Sequence, residues 1–289
     1  MANILTIFLA GILLSLGVVA SNAQDDPILL PDAQPGDVDL LTPFAPSILE
    51  EAPLNAAPGV PFTVDARLSA QAEPITSGLI WRVFDPTPNG DGTMQLIATA
   101  EGGTANLQLP PGDYLIHASF GRAGIARRVS VTADGGAESF VLNAGGLQLD
   151  ASLGGARLDS DELQFEIYSS AVDERGERSL ITDNVKPGQL VRLNSGTYHI
   201  VSFFGSINAK VRADLRVEAG KVTKAVMEQR GGRVDLKLVL QQGGEPIANT
   251  KWSIQTESGE EVYSSSQVQP ELILAAGNYI AIAQNASAV

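Results

Sequence analysis

The sequence of 289 residues contains no cysteine and only two histidines. Without cysteine the chain forms no disulfide, carries no lipid on an N-terminal cysteine and offers no thiolate nucleophile. The histidines, His117 and His199, have no neighbouring serine and aspartate in an arrangement typical of a catalytic triad. The common nucleotide-binding, serine-hydrolase and zinc-protease motifs are also missing. The sequence therefore predicts that the chain is not an enzyme and needs no cofactor.

Positive charge is scarce as well, since 19 lysines and arginines face 33 aspartates and glutamates and the formal net charge is −14. This balance argues against nucleic acid and anionic membrane surfaces as partners. Residues 24–57 carry seven of the acidic residues, several prolines and no basic residue. We predict an extended, solvated linker there. The alternative is a docking segment, in which Ile28-Leu29-Leu30 and Val38-Asp39-Leu40-Leu41 bind a groove elsewhere.

One long apolar run exists, from Ile4 to Ala20, and Ser21-Asn22-Ala23 follow it. Small residues at the cleavage-determining positions predict a signal peptide over residues 1–23. The protein is then periplasmic or extracellular, with no membrane span after cleavage. Because Met1-Ala2-Asn3 contains no lysine or arginine, a retained anchor is the competing interpretation, although 17 residues are few for a bilayer span.

The chain does contain a pattern, Leu-x-x-Gly-x-Tyr, that occurs three times. Its glycines, Gly112, Gly196 and Gly277, are 84 and then 81 residues apart. A period of this size predicts one small domain repeated, each copy with its own core. The pair Phe120-Gly121 recurs as Phe204-Gly205, each time six residues after the tyrosine.

Large apolar residues alternate with polar ones ahead of each pattern, and period two is the signal of a half-buried strand. The matching positions are Leu79, Trp81 and Val83, then Leu163, Phe165 and Ile167, then Trp252 and Ile254. We predict opening strands at residues 62–68, 147–153 and 234–240. Because short strands and turn residues recur and helical periodicity is nearly absent, the fold class is all-β, with tandem antiparallel β-sandwiches.

Each residue of the Leu-x-x-Gly-x-Tyr pattern has a structural interpretation. The leucine ends an inward-facing strand, and the glycine permits a positive φ in a tight connection. The tyrosine starts the next strand with its ring in the core, while its hydroxyl reaches a backbone group, as in a tyrosine corner. Each histidine lies an odd number of residues beyond its tyrosine, which puts it on the opposite face of the strand and predicts a surface position.

We predict complete repeats at residues 58–143 and 144–229 and an incomplete third repeat at residues 230–289. The third repeat has no counterpart of residues 128–142 or 214–227. Three explanations stay open: the sequence is a fragment of a longer frame, a partner donates the missing strand, or the copy is degenerate.

The Leu-x-x-Gly-x-Tyr strings and the aromatic strands before them resemble transthyretin-like, immunoglobulin-like modules of the Cna-B and carboxypeptidase-regulatory-like types. The likeness covers about residues 58–289 and implies repeats of an exported bacterial protein. Some Cna-B-type domains carry a Lys–Asn crosslink. The first lysine here is Lys186, so the first repeat has none to contribute.

One loop offers oxygen donors to a cation: Asp85, Asn89, Asp91 and Thr93 lie within nine residues that also contain two glycines. Calcium takes six to eight such ligands. The same residues are typical of a hairpin tip, because Asn-Gly and Asp-Gly favour turns. We predict no metal here, and calcium is the alternative. Loops 85–93 and 171–179 are the expected places for recognition.

Taken together, these features predict a non-catalytic cell-envelope protein of β-sandwich repeats that acts as a binding or spacer element. Its expected partner is an envelope protein or a glycan. Two alternatives are an accessory region of a longer protein whose active domain follows residue 289, and an assembly subunit that accepts a donated strand. Neither the ligand nor the oligomeric state follows from the sequence.

Overall fold

The computed structural model describes residues 4–5, 48–49, 59–158 and 161–285. The predicted signal peptide and the acidic segment lie outside these residues, except for two short strands, β1 (Ile4–Leu5) and β2 (Ile48–Leu49). Every regular element in the described ranges is a β-strand, so the predicted all-β class is confirmed. In the same ranges no helix is long and apolar enough to cross a bilayer.

The first β-sandwich consists of a five-stranded and a three-stranded sheet that share one core. Its strands are β3 (Val60–Arg67), β4 (Leu79–Phe84), β5 (Met94–Gly102), β6 (Ala105–Leu109), β7 (Gly112–Phe120), β8 (Ala123–Val131) and β9 (Gly136–Val141). The sheet orders are β2-β5-β4-β7-β8 and β6-β3-β9. Leu79, Trp81 and Val83 are all buried, as period two predicts, and the Trp81 ring meets the Phe140 ring edge-on at 5.3 Å between centroids.

The second β-sandwich repeats this plan. Its strands are β10 (Ala144–Leu153), β11 (Ala156–Arg157), β12 (Leu163–Val172), β13 (Arg178–Val185), β14 (Leu190–Asn194), β15 (Gly196–Phe204), β16 (Lys210–Val217) and β17 (Val222–Gln229). One sheet has the order β13-β12-β15-β16, and in the other β10 pairs with β11, β14 and β17. Leu163, Phe165 and Ile167 take the core positions of Leu79, Trp81 and Val83.

The third β-sandwich has fewer described strands than the others. They are β18 (Gly231–Asp235), β19 (Thr250–Thr256), β20 (Glu261–Ser265), β21 (Glu271–Ala275) and β22 (Tyr279–Asn285). β22 lies beside β19 as β7 lies beside β4, but where β7 carries the nine-residue β8, β22 carries the two-residue β1. β18 pairs with β21, and no described strand lies beside it in the place that β9 and β17 take in the other sandwiches.

Each sandwich surrounds its own apolar cluster. Buried residues from Phe62 to Ala144 form the first cluster, those from Leu147 to Met227 the second, and those from Leu236 to Ala283 the third. Aromatic side chains lie at the centre of each: Trp81, Phe165 and Trp252, none of them more than 3% exposed. The alternating pattern of the sequence therefore becomes three separate cores in series.

The structure modifies two expectations about strands. The closing strand of each complete sandwich runs parallel to the opening strand, with β9 beside β3 and β17 beside β10, although the remaining core pairings are antiparallel. The opening strand of the third sandwich is shorter than the predicted 234–240, because β18 ends at Asp235. Leu236 and Leu238 still pack against the third core, but Leu240 is 92% exposed, so the core-facing alternation ends before residue 240.

Candidate functional site

The tyrosines of the three patterns form tyrosine corners, as predicted. Tyr114 donates its hydroxyl proton to the carbonyl of Pro110 at 2.8 Å, Tyr198 to that of Asn194 at 2.7 Å, and Tyr279 to that of Ala275 at 3.1 Å. The acceptor is always four residues before the tyrosine. Burial raises the pKa of Tyr114 and Tyr198, as expected for hydroxyls taken out of water.

The role predicted for the pattern glycines is wrong. The glycines with positive φ include neither Gly112 nor Gly196 nor Gly277. Instead, the ring of the tyrosine two residues later lies over the glycine: a Cβ on Gly112 would stand 3.8 Å from the Tyr114 hydroxyl. Such a Cβ would make ordinary van der Waals contact with the ring, so neither φ nor space restricts this position to glycine.

A different glycine of the repeat does need positive φ, and it lies at the junction between the first two sandwiches. Gly121, in the β7–β8 turn, has φ +62°, and a Cβ there would approach the Arg192 Cβ to 3.0 Å. The Arg192 guanidinium lies over the Phe120 ring, 4.5 Å from its centroid. Arg122 N–H donates to the Arg192 carbonyl at 3.1 Å. The turn that follows Phe120 therefore contacts β14 of the next sandwich directly.

Asn194 closes the same junction with its side chain. Its Nδ2 donates to the carbonyls of Gly124 and Leu142 at 3.1 Å and 2.9 Å, and its Oδ1 accepts the N–H of Gly124 at 3.1 Å. Gly124 is buried, so its peptide groups need partners inside the protein. One amide thus satisfies backbone groups of the first sandwich from a residue of the second.

The junction between the second and third sandwiches uses the equivalent turn. Gly205 has φ +74°, and a Cβ there would come within 2.7 Å of the Ile273 Cβ. Phe204, Ala209 and Ile273 form a small apolar cluster of their own. Asn208 contributes here as Asn194 does at the first junction: its Oδ1 accepts the Ala275 N–H at 2.9 Å and its Nδ2 donates to the Tyr279 hydroxyl at 2.8 Å.

An ion pair adds to this second junction. The Arg233 guanidinium of β18 lies 2.7 Å from the Glu162 carboxylate of the second sandwich and 3.4 Å from that of Glu271. All three side chains are about half exposed. Since water screens such pairs, the apolar cluster and the Asn208 bonds matter more for holding the junction.

The two long loops predicted for recognition are hairpin tips. In the first, Asp85 Oδ1 accepts the Thr87 N–H at 2.8 Å, and Asp91 Oδ1 accepts both the N–H and the hydroxyl of Thr93. Asn89 Nδ2 donates to the Thr93 hydroxyl oxygen at 3.2 Å. The Thr93 hydroxyl lowers the pKa of Asp91. Each candidate calcium ligand therefore makes a turn bond, and calcium binding stays the untested alternative to the prediction of no metal.

The matching loop of the second sandwich is built on one aspartate. Asp173 Oδ1 accepts the N–H groups of Arg175 and Glu177 at 2.9 Å and 2.8 Å. Within the described part of the chain, no three side chains of the His, Asp and Glu types are grouped closely enough to hold a metal ion. Both loops are hairpin turns closed by their own hydrogen bonds, and each lies exposed at one end of its sandwich.

The two histidines have different surroundings. Both lie on the strand face opposite the tyrosine, as predicted. His199 is partly exposed, with Nδ1 2.7 Å from the Asp214 Oδ1. The predicted surface position is wrong for His117, which is 0% exposed. Burial, and secondarily the Arg82 charge, lower the pKa of His117 to about 4. It is therefore neutral near pH 7.

The junction residues were only partly visible in the sequence. The recurrence of Phe120-Gly121 as Phe204-Gly205 marked both turns, but their partners, Arg192 and Ile273, come from the following repeat and share no residue type. A useful signal would have been that the position before the pattern leucine, occupied by Arg192 and Ile273, faces out of its own sandwich.

Comparison with protein families gives one match. Residues 233–289 match the model of the Rhizobiales growth-associated tandem repeat domain. No curated protein matches the sequence.

Several solved bacterial proteins match parts of this chain at low sequence identity. The Bacillus anthracis TIE protein is 18% identical over 80% of this chain, with a TM-score of 0.22. This chain spans 46% of the length of that protein. The minor pilin GBS52 of Streptococcus agalactiae is 14% identical over 58% of this chain and 94% of its own, with a TM-score of 0.30. The shaft pilin SpaA of Lactobacillus rhamnosus GG is 12% identical over 60% of this chain and 98% of its own, with a TM-score of 0.23.

Proposed function

We propose that this chain is an exported, non-catalytic cell-envelope protein whose β-sandwiches, stacked in a fixed line, act as a spacer that presents binding surfaces. The units divide at about residues 58–143, 144–229 and 230–289 and are of the transthyretin-like, Cna-B type. Residues 1–23 act as a cleaved signal peptide, so the array works in the periplasm or outside the cell. The description of the family matched by residues 233–289, a growth-associated tandem repeat domain, supports an array of repeated units.

The observation that carries the proposal is the construction of the two junctions. Each combines a glycine turn against the next sandwich, an asparagine side chain that bonds backbone across the boundary, and a packed side chain: Phe120 under Arg192, or Phe204 with Ile273. Flexible linkers between domains make no such contacts. Specific contacts across each boundary hold neighbouring sandwiches at a defined angle, and a spacer requires such fixed angles.

The experiment that tests the spacer role measures distance. Because the chain has no cysteine, one spin label can be placed in the first sandwich and one in the third by introducing Thr99→Cys and Ser258→Cys. Both positions are exposed. A stiff array gives one narrow distance distribution, and flexible domains give a broad one. A broad distance distribution in the chain that carries only these two labelling substitutions would contradict the spacer role.

Binding is tested separately at the hairpin tips. We expect the partner, an envelope protein or glycan, to contact loops 85–93 and 171–179, since loops on a stable scaffold commonly carry recognition. Replacing both with short turns abolishes retention of the partner while leaving the label distance unchanged. If retention survives the double replacement, binding lies elsewhere on the array.

A second candidate function is assembly by strand addition. β22 has a full-length antiparallel neighbour on one side, β19, and on the other only the two-residue β1, which cleavage of residues 1–23 would remove. β18 has no described partner on the side where β10 holds β17. Such edges accept a strand from the same polypeptide or from another molecule. Light scattering over a concentration series separates these sources, because only the second makes the mass depend on concentration.

A further inference from the structure

A cleft of about 310 Å³ opens along one side of the first sandwich, where its two sheets end. This cleft, called the seam cleft here, lies between β8 of the five-stranded sheet and β9 of the three-stranded sheet. Its volume is at the lower end of the range typical of small-molecule sites. Since each strand is the last described one of its sheet, alternate backbone N–H and C=O groups of both are not used in strand pairing on this side.

An arginine and a glutamate lie side by side in the lining of the seam cleft. The Arg127 guanidinium of β8 bonds the carboxylate of Glu138 on β9, and its Nη2 also donates to the Ser139 carbonyl at 2.9 Å. The Arg127 Cζ lies over the Phe140 ring, 4.5 Å from its centroid. The ring contact and the two bonds therefore hold the guanidinium in a defined position.

The pair keeps hydrogen-bonding capacity for a ligand. A guanidinium has five N–H groups, and the described bonds of Arg127 use only its Nη2. The described bond of Glu138 uses Oε1 and leaves Oε2 for another donor. The two side chains are 42% and 38% exposed. Donors and an acceptor therefore lie next to each other, and contacts inside the protein have already oriented them.

The second sandwich closes the same seam with small apolar residues. Ala213 takes the position of Arg127, because each lies opposite the isoleucine two residues after the corner tyrosine. Ala225 takes the position of Glu138 on the closing strand. Both alanines pack against the second apolar cluster. The core plan of the repeat therefore does not require a charged pair at this seam, and only the first sandwich of these two carries one.

A glycine leaves space above the core. Gly136 takes the position of Thr223, whose hydroxyl donates to the Arg216 carbonyl at 3.0 Å and so bridges β17 to β16. Gly136 has no side chain to make this bridge, and a Cβ there would lie 3.1 Å from Cε2 of the Phe62 ring. Phe62 also lines the seam cleft. The space that a threonine side chain fills in the second sandwich thus belongs to the cleft in the first.

The lining selects an uncharged ligand that is rich in hydroxyl groups. An anion would compete with the Glu138 carboxylate for Arg127, and a cation would compete with Arg127 for Glu138. An apolar group would take both charged side chains out of water without a new partner. Neighbouring hydroxyl groups fit, because one accepts from the guanidinium while the next donates to the carboxylate. Sugar rings carry such pairs of hydroxyl groups.

An added β-strand fits the seam cleft less well than a sugar. The free edges of β8 and β9 by themselves would favour strand addition. However, the Arg127 side chain crosses from β8 to Glu138 and Ser139 on β9. A strand that ran along the seam would have to break these bonds, whereas a sugar ring can lie beside them.

We propose that the seam cleft binds one sugar ring of a neutral glycan, with Arg127 donating to one hydroxyl group and Glu138 accepting from the next. The site is separate from loops 85–93 and 171–179. It rests on the proposed function in taking an envelope glycan as the partner. The first sandwich then attaches the array to the glycan, and the junctions set where the other two sandwiches lie.

Amide NMR spectra of the full-length chain test the proposal with three neutral probes: cellotriose, maltotriose and triacetylchitotriose. Concentrations up to about 10 mM detect millimolar affinity. We expect at least one probe to shift the amide signals of Ala137 and Glu138. The variant Arg127→Ala/Glu138→Ala reproduces the alanine pair of the second sandwich, and we expect its Kd to rise at least about tenfold. The control Arg216→Gln removes an exposed arginine from β16, the equivalent strand, and leaves the Kd unchanged.

The proposal is overturned if no probe shifts these signals, or if the double-alanine variant binds as tightly as the unmodified chain. Shifts with inorganic sulfate but with none of the sugars would assign the cleft to an anion and overturn it as well. Sugar binding that survives Arg127→Ala/Glu138→Ala but is lost when loops 85–93 and 171–179 are shortened would move the glycan site to the loops. The spacer role is tested independently by the label distances, because it depends on the junctions.

Discussion

The Arg192 guanidinium lies over the Phe120 ring at 4.5 Å from its centroid, although the two residues belong to different sandwiches. Arg192 also receives the Arg122 N–H on its carbonyl, so one residue contributes both a side-chain and a backbone contact to the junction. A cation over a ring contributes about 0.5–2 kcal/mol depending on its exposure to water. The junction is thus an interface with its own energetics, and variants there should change how the sandwiches are held.

Gly205→Ala should open the second junction. The added Cβ would meet the Ile273 Cβ at 2.7 Å, in a backbone with φ +74°. Gly188→Ala is the matched control, because Gly188 has φ +75° and open space around its missing Cβ. We expect Gly188→Ala to lower the free energy of unfolding by about 1–2 kcal/mol, because its backbone is left-handed. Gly205→Ala should lower it by about 1–3 kcal/mol more, because of the clash. Urea unfolding measures both.

The same pair of variants should differ in the spacing of the sandwiches. Gly205→Ala broadens the distance distribution between labels in the second and third sandwiches, and Gly188→Ala does not. Equal distributions in the two variants would show that the glycine turn does not set the angle between the sandwiches.

Asn194→Ala should weaken the first junction. The substitution removes three hydrogen bonds and leaves the buried Gly124 N–H without its acceptor. An unsatisfied buried polar group costs about 1–3 kcal/mol. Asn106→Ala is the control, since Asn106 is exposed and its side chain bonds only the Thr63 hydroxyl among the described contacts. Chemical denaturation that shows equal losses for the two variants would contradict the role given to Asn194.

Tyr198→Phe should destabilise the second sandwich while preserving its packing. The variant keeps the ring but removes the hydroxyl that donates to the Asn194 carbonyl at 2.7 Å. The expected loss is about 0.5–1.5 kcal/mol, typical of one hydrogen bond. Tyr263→Phe, in a half-buried tyrosine outside the corners, is the comparison. Thermal unfolding should shift for the first variant by clearly more than for the second.

His117 should make the first sandwich sensitive to acid. Its pKa is about 4 in the folded chain, against an ordinary 6.5, because burial and then Arg82 disfavour the charged ring. Between these values the unfolded chain binds the proton and the folded chain does not, so stability falls as pH drops from about 6.5 to about 4. The shift corresponds to a loss of about 3 kcal/mol.

The histidine contribution is isolated by His117→Gln. Its stability curve should be flatter than that of the unmodified chain between pH 6.5 and pH 4. His199→Gln, the control, leaves the His117 contribution in place. If the free energy of unfolding of His117→Gln falls as steeply between pH 6.5 and pH 4 as that of His199→Gln, His117 does not account for the acid sensitivity.

What the sequence predicted well was local. The tyrosine corner could be foreseen because its donor and acceptor, Tyr198 and Asn194, lie in one six-residue pattern. The core positions Trp81 and Phe165 followed from alternation, which requires no knowledge of the partner strand. Both depend on contacts within a few residues or on the period of a single strand.

What the sequence predicted poorly depends on distant residues. The face occupied by His117 followed from its spacing to Tyr114, but a period of two says nothing about what covers a face. The pattern glycine Gly112 was assigned to a turn with positive φ, whereas its neighbour in space is the Tyr114 ring. The role of Gly121 required the position of Arg192, which belongs to the next repeat.

The parallel pairing of the first and last strands gives the array a mechanical property. β10 enters the second sandwich from the first, β17 leaves towards the third, and eight residue pairs join them in register from Gly146–Val222 to Leu153–Gln229. Tension along the array pulls the start of β10 and the end of β17 in opposite directions, which loads the whole ladder in shear and not one bond at a time. Stretching single molecules should therefore rupture each complete sandwich in one high-force step.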